Sequence, residues 1–157
     1  MTSHSRWLNA DEQHLWRLML AASRNVSRNI DDTLRACSGL SSPEFSVLAV
    51  LVDAEEQQMR LRDLCAELAW DRSRTSHQVT RMHKRGLVEK QKSPGDARGV
   101  LITLTDDGRS RLDAAASDYV ETVRRMVFDH VDTKNSDELE ELLGNIGATR
   151  VAGEAVG

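Results

Sequence analysis

Apolar residues recur every three to four positions along most of the chain, and the recurrence stops and restarts where the chain must turn. Asn9 precedes a run in which Glu12 lies three residues on, the spacing of a capping box. Leu15, Met19, Ala22, Val26, Ile30, Leu34 and Cys37 then follow at helical spacing, which predicts a long first helix over residues 9–38. "GLSSPEF" breaks it: Gly39 suits a C′ position, Ser42 an N-cap and Pro43 the N1 position. Phe45, Leu48, Ala49 and Val52 fall at i, i+3, i+4 and i+7 and are the expected buried face of a second helix. A polar turn and a brief strand at Met59–Leu61 are expected next. Leu61, Leu64, Cys65 and Leu68 then mark a short third helix.

Asp71 is placed to cap the helix after that. At ~100° per residue Thr75, Val79, Met82 and Gly86 share one side, which must face the core. The other side carries Ser73, His77, Thr80, Arg81 and Lys84, flanked by Arg74 and Ser76. After Gly86 the period changes. "LVEKQK" and "GVLITLT" alternate or are β-branched, and "SPGDAR" joins them, which predicts a two-stranded hairpin with a basic tip. Thr105 caps a further long helix through Leu112, Ala116, Tyr119, Val123, Met126 and Val127. "NSDE" (residues 135–138) has capping-box spacing ahead of Leu139, Leu142, Leu143 and Ile146. The expected fold class is therefore mainly α with a small β-hairpin wing. A winged helix-turn-helix over residues 43–104 is flanked by N- and C-terminal helices, 9–38 and 105–149. Those flanking stripes are too long for a small winged core to cover, so they are expected to pair with each other and with a second copy of the chain.

Charge sharpens this picture. The formal net charge is -4, yet between Asp71 and Arg98 the cations Arg72, Arg74, Arg81, Lys84, Arg85, Lys90, Lys92 and Arg98 face only Asp71, Glu89 and Asp96. An anionic partner is implied. A solvated helix surface is the plain alternative for residues 73–84, but such surfaces mix Glu with Lys for i,i+4 pairing, and this face has one sign. Arg can pair bidentately with guanine in the major groove, and Ser, Thr or Gln can meet other base edges. Lys84, Arg85, Lys90 and Lys92 are the expected phosphate contacts. For "SPGDAR" the plain alternative is a surface turn whose Asp96–Arg98 ion pair has little energetic worth. The functional reading sends Arg98 into a narrow A·T-rich minor groove, with Asp96 orienting the guanidinium.

The stretch "WDRSRTSHQVTRMHKRGLVEKQKSPGDARGVLITLTDDGR" resembles the signature of MarR-type (multiple antibiotic resistance regulator) winged-helix transcription factors. The resemblance rests on the helix ending in "KRGLVEK", on Asp96-x-Arg98, and on "VLITLTDDG" leading into the next helix; with the flanking helices it covers nearly the whole chain. It implies an obligate homodimer with interlocked terminal helices and two winged domains reading a palindromic operator in double-stranded DNA. One departure is that Ala97 and Gly99 surround Arg98 where the family often has another basic residue, so this wing is less basic than many. Many such proteins bind small aromatic or anionic effectors between the dimerisation helices and the winged domain. Trp16 with Arg17, or Trp70, are candidates to line such a site, against simple packing.

Catalysis finds no support. His4, His14, His77, His83 and His130 are scattered without metal-ligand spacing or a nucleophile–base pair, so no metal and no cofactor is expected. Cys37 and Cys65 lack a CxxC arrangement and are expected to be buried free thiols; a redox role for them is the less favoured option. No apolar run reaches the roughly 20 residues that cross a bilayer, and the first residues lack a signal-peptide pattern, so a cytoplasmic location is expected. The combined reading is a homodimeric regulator, a repressor released by a small molecule. Its rival is a winged-helix module whose basic face meets an acidic protein.

Overall fold

In the computed structural model, which describes residues 6–96 and 98–149, Asn9 and Glu12 form the expected reciprocal capping box and start α1 (Ala10–Ser38). His4 and Ala97 lie outside the described residues. Gly39 ends the helix in the left-handed region at φ 69, as its place in the sequence requires. α2 (Ser42–Asp53) begins one residue earlier than expected. Its cap is Ser41 and not Ser42, because Glu44 lies three residues after Ser41 and closes a second capping box. Ser42 is instead held by α1: Asp31 Oδ1 accepts its backbone N–H at 3.0 Å and its hydroxyl at 2.7 Å.

α2 also buries a different face. Glu44, Val47, Leu48 and Leu51 are buried, while Phe45, Ala49 and Val52 are half-buried. The helix is apolar almost all round, so periodicity alone could not choose its inner side; a paired Glu44 did. Arg85 donates to Glu44 Oε1 and, at 3.0 Å, to the Gly39 carbonyl, so one guanidinium ties together α2, the end of α1 and the end of the basic helix.

A short 3-10 turn (Glu55–Gln57) leads to β1 (Gln58–Arg60), α3 (Leu61–Leu68) and α4 (Arg72–Lys84). Strands β2 (Val88–Lys92) and β3 (Val100–Leu104) complete an antiparallel sheet of order β1-β3-β2, in which Ile102 lies opposite both Met59 and Lys90. Leu48, Leu64, Val79, Met82, Leu87 and Ile102 are fully buried and join α2, α3, α4 and the sheet in one core. Gly86 does not face that core. It is exposed at φ 74 and closes a Schellman motif, with Leu87 N donating to Met82 O and Gly86 N to His83 O.

Thr105 caps α5 (Asp106–Val123) by accepting the Gly108 N–H at 3.0 Å, and its own hydroxyl donates to the Gly86 carbonyl at 2.7 Å. Tyr119 stacks on Phe45 of α2, and Thr122 Oγ1 lies 3.0 Å from Thr33 Oγ1 of α1. A second unit begins at Val123 and holds a π-helical turn (Arg124–Phe128), a 3-10 turn (Thr133–Asn135) and α6 (Asp137–Ala148). The expected capping box at residues 135–138 does not form. Asn135 turns back to Asp132 Oδ2, and Ser136 takes the cap position with its hydroxyl 2.6 Å from Glu140 Oε1.

The Asp31–Ser42 clamp makes a pH prediction. The Ser42 hydroxyl, then the Ser42 N–H, hold the Asp31 carboxyl below its ordinary value of 3.8. A depressed folded-state value stabilises the fold above the ordinary value and loses that contribution as pH falls through the folded one. In urea unfolding, wild type should therefore be more stable than Asp31→Asn near neutral pH, and the gap should close under strong acid. A gap that stays constant down to the acid limit refutes the clamp.

Candidate nucleic-acid interface

α4 is positioned by its buried side and presents the other. Asp71 accepts the Arg74 N–H at 2.7 Å, and Thr75, Gln78, Val79 and Met82 are buried, which fixes the helix rotation. Ser73, Arg74, His77, Arg81 and Lys84 are therefore exposed along one stripe, with Ser76 and Thr80 half-buried at its edge. Apart from the cap, no carboxylate belongs to this helix.

Several side chains on the stripe are held in place. The Arg74 guanidinium lies over the Trp70 ring, 4.3 Å from its centroid. Arg81 donates to Gln78 Oε1, and Gln78 is itself buried. Lys90 of β2 donates to Thr80 Oγ1 at 3.2 Å, which sets a strand cation beside the helix face. Fixing rotamers in advance lowers the entropy lost on binding. Lys84 and Lys92 are exposed and have no ion pair among the described residues. Arg85 has a further role within the fold. Its bonds to Glu44 and Gly39 make it a structural tie, which sequence pattern could not reveal because the partner lies 41 residues away.

The hairpin is closed by Ser93 N donating to Gly99 O at 2.9 Å. Pro94 and Gly95 (φ 76) form the turn, with Asp96 N donating to Ser93 O as in a type II turn. Asp96 acts on the backbone here: its Oδ1 accepts the Arg98 N–H at 3.0 Å, and its side chain makes no ion pair with the Arg98 guanidinium. Gly99 has a reason of its own. A Cβ there would stand 2.8 Å from both Asp96 Oδ2 and Ser93 Cβ, so a basic side chain at this position would displace the wing turn. Arg98 is left exposed on the hairpin.

The candidate ligand-lining residues stand on different elements, Trp16 and Arg17 on α1 and Trp70 just before α4. Trp16 is exposed on the first half of α1, the Arg17 Nε donates to Gln13 O at 3.2 Å, and Trp70 is covered by Arg74. A groove of about 360 Å³ lies elsewhere, between α1, α2 and α5, lined by Val26, Ile30, Asp31, Leu34, Ser42, Phe45 and Tyr119. Cys37 and Cys65 are free but half-buried rather than buried. Among the described residues no cluster of His, Cys, Asp or Glu could hold a metal ion, and no helix is long and apolar enough to cross a membrane.

A winged helix-turn-helix with this element order has close counterparts. A model of the MarR family matches residues 38–99. Sco3205, a MarR family transcriptional regulator from Streptomyces coelicolor solved in complex with DNA, superimposes with a TM-score of 0.87. The two are 30% identical, and the match covers 98% of this chain and 96% of that one. MgrA, an HTH-type transcriptional regulator of Staphylococcus aureus, is 32% identical over 128 residues, 80% of this chain and 82% of its own. YdgJ of Bacillus subtilis, described as an uncharacterized HTH-type transcriptional regulator, is 25% identical over 104 residues. That match takes in 66% of this chain but 62% of YdgJ, less than two thirds of that relative's length. These relatives are regulators and not enzymes, in keeping with a sequence that holds no catalytic constellation. On the strength of two relatives at least 30% identical over most of its length, the chain belongs to the MarR family.

Proposed function

We propose that this protein is a sequence-specific double-stranded-DNA-binding regulator, a homodimer that represses from a palindromic operator in the cytoplasm and is released by a small molecule. The observation that carries the reading is the one-signed, solvent-facing stripe of α4, held by a buried inner side and flanked by a wing that exposes Arg98. Ser73, Arg74, Ser76, His77, Thr80 and Arg81 meet base edges and phosphates in the major groove. Lys84 and Lys92 meet phosphates, and Arg98 enters the adjacent minor groove with Asp96 shaping the turn behind it. A partner copy is supported by apolar side chains that remain exposed: Leu15 and Leu18 on α1, and Leu139, Leu142, Leu143 and Ile146 on α6. The groove between α1, α2 and α5 suits a small aromatic effector, because apolar and aromatic side chains line it together with serine hydroxyls and the Asp31 carboxylate.

Selection of duplexes from a random pool, followed by titration of the selected site at several salt concentrations, tests the reading. The recovered site should be an imperfect palindrome with half-sites about 34–36 Å apart, since a two-fold dimer imposes its symmetry on DNA. The logarithm of the binding constant should fall with log salt by about 0.9 for each phosphate neutralised. Light scattering on the same sample should give twice the 17.6 kDa chain mass. A flat salt response with no selected site would instead favour an acidic protein partner for the basic face.

A further inference from the structure

Arg60, Arg62, Arg72 and Arg98 are far apart in sequence, yet all four line one cleft of about 180 Å³ with Asp96 and Gly99. Arg60 ends β1, Arg62 lies in the first turn of α3, Arg72 is the first residue of α4 and Arg98 belongs to the wing. Arg62 is paired with Asp63 at 3.2 Å. Arg60, Arg72 and Arg98 have no carboxylate within ion-pair distance among the described residues. The one acid on the cleft, Asp96, already accepts the Arg98 N–H. Three arginines without a carboxylate partner line one space, and their like charges repel each other, a cost that an anion in the cleft reduces. The space holds a phosphate group and a few waters, each of which takes about 30 Å³ in the liquid.

We infer that this cleft is the seat for the DNA phosphates that separate the two grooves. The inference rests on the proposed function, and geometry then dictates the position. If α4 occupies a major groove and the wing the neighbouring minor groove, the strand dividing those grooves must run between them. The cleft is the place where the first residue of α4 and the wing arginine face a common space. Guanidinium suits the task, because its planar fork of donors matches phosphate oxygens and it is less strongly hydrated than an ammonium. Phosphate binding here carries no sequence information: it sets the depth and register of α4 and the wing together.

The test compares wild type, Arg60→Gln/Arg72→Gln and Arg60→Lys/Arg72→Lys on two probes, a duplex selected from a random pool and a random-sequence duplex. Both substituted sites lie at element ends, and unchanged circular dichroism and thermal midpoint confirm folding; Arg72→Gln alone, fully at the surface, serves if the double variant is unstable. The slope of log affinity against log salt should shrink by about 0.9 for each phosphate no longer neutralised, hence by about 2 for the Gln pair and about 1 for Arg72→Gln. Affinity should drop on both probes by the same factor, leaving the ratio between them unchanged, and the Lys pair should recover the slope. Wild-type binding with an unchanged slope in the Gln variants overturns the seat while leaving the DNA-binding reading intact. Failure of the Lys pair to recover the slope also overturns it. Absence of wild-type binding to either duplex overturns both.

Discussion

Gly108→Ala should destabilise the protein by about 3 kcal/mol, against the ordinary trend in which Gly→Ala inside a helix gains roughly 0.5–1 kcal/mol. The reason is a close approach of backbone. A Cβ at Gly108 would stand 2.2 Å from the Leu87 carbonyl oxygen and 3.1 Å from Leu104 Cδ1. A flexible side chain could move aside, but this oxygen cannot easily do so: it also accepts the Thr105 N–H at 3.3 Å, while the Thr105 hydroxyl is bound to the Gly86 carbonyl. Admitting a methyl group means prying the start of α5 away from the turn that leaves α4, and with it the return strand of the wing. At about 2–4 °C per kcal/mol for a chain of this size, the thermal midpoint should fall by about 10 °C. A midpoint that stays level or rises on thermal unfolding would show that the seam gives way freely. The fragment "LTDDG" is thus a packing requirement as well as a family mark: Thr105 supplies the cap, and Gly108 permits the approach.

Local pattern carried most of the fold because the elements are locally consistent. Asn9, Gly39, Asp71 and Thr105 each do at the helix ends what their residue type and spacing imply, since a cap is decided within four residues. Two of the errors share one cause, a partner distant in sequence. The inward turn of Glu44 depends on Arg85, and the structural tie that Arg85 makes was unreadable for the same reason. In α2, apolar residues on nearly every side left the rotation undetermined until that pair was known. Asp96 was legible as a wing residue but not in its role. Whether a carboxylate grips a guanidinium or a backbone N–H depends on turn geometry, and Gly99 closing on Asp96 sets that geometry. Along α4 the division into inner and outer faces was readable, because its polar face has one sign and its inner face is spaced at i, i+4 and i+7; Gln78 was missed because a buried glutamine gives no periodic signal. The arginine cleft was invisible for the same reason that Glu44 was, being assembled from separate segments of chain.

Replacing Arg74, His77 and Arg81 together by alanine should abolish selective binding while leaving the fold intact. All three project from the exposed stripe of α4, and the buried residues that set the helix rotation are untouched. Each bidentate pairing with a base is worth about 1–3 kcal/mol, and each tenfold in affinity is about 1.4 kcal/mol. Loss of the set should therefore weaken operator binding by roughly 10²–10⁴-fold per half-site. The single variants should divide by role. Arg81 is steadied by Gln78, so Arg81→Ala removes one oriented fork and should relax preference at one operator position. Arg74 is steadied by Trp70 near the start of α4, and Trp70→Leu should reproduce part of the Arg74→Ala loss by freeing the guanidinium without removing its charge. That pairing separates orientation from charge, since a purely electrostatic Arg74 is indifferent to the ring beneath it. Anisotropy titrations on operator and random duplexes, with circular dichroism as the control for folding, distinguish these outcomes. If the folded triple variant binds operator as tightly as wild type, α4 is not the element that reads DNA, and the stripe is only a solvated surface.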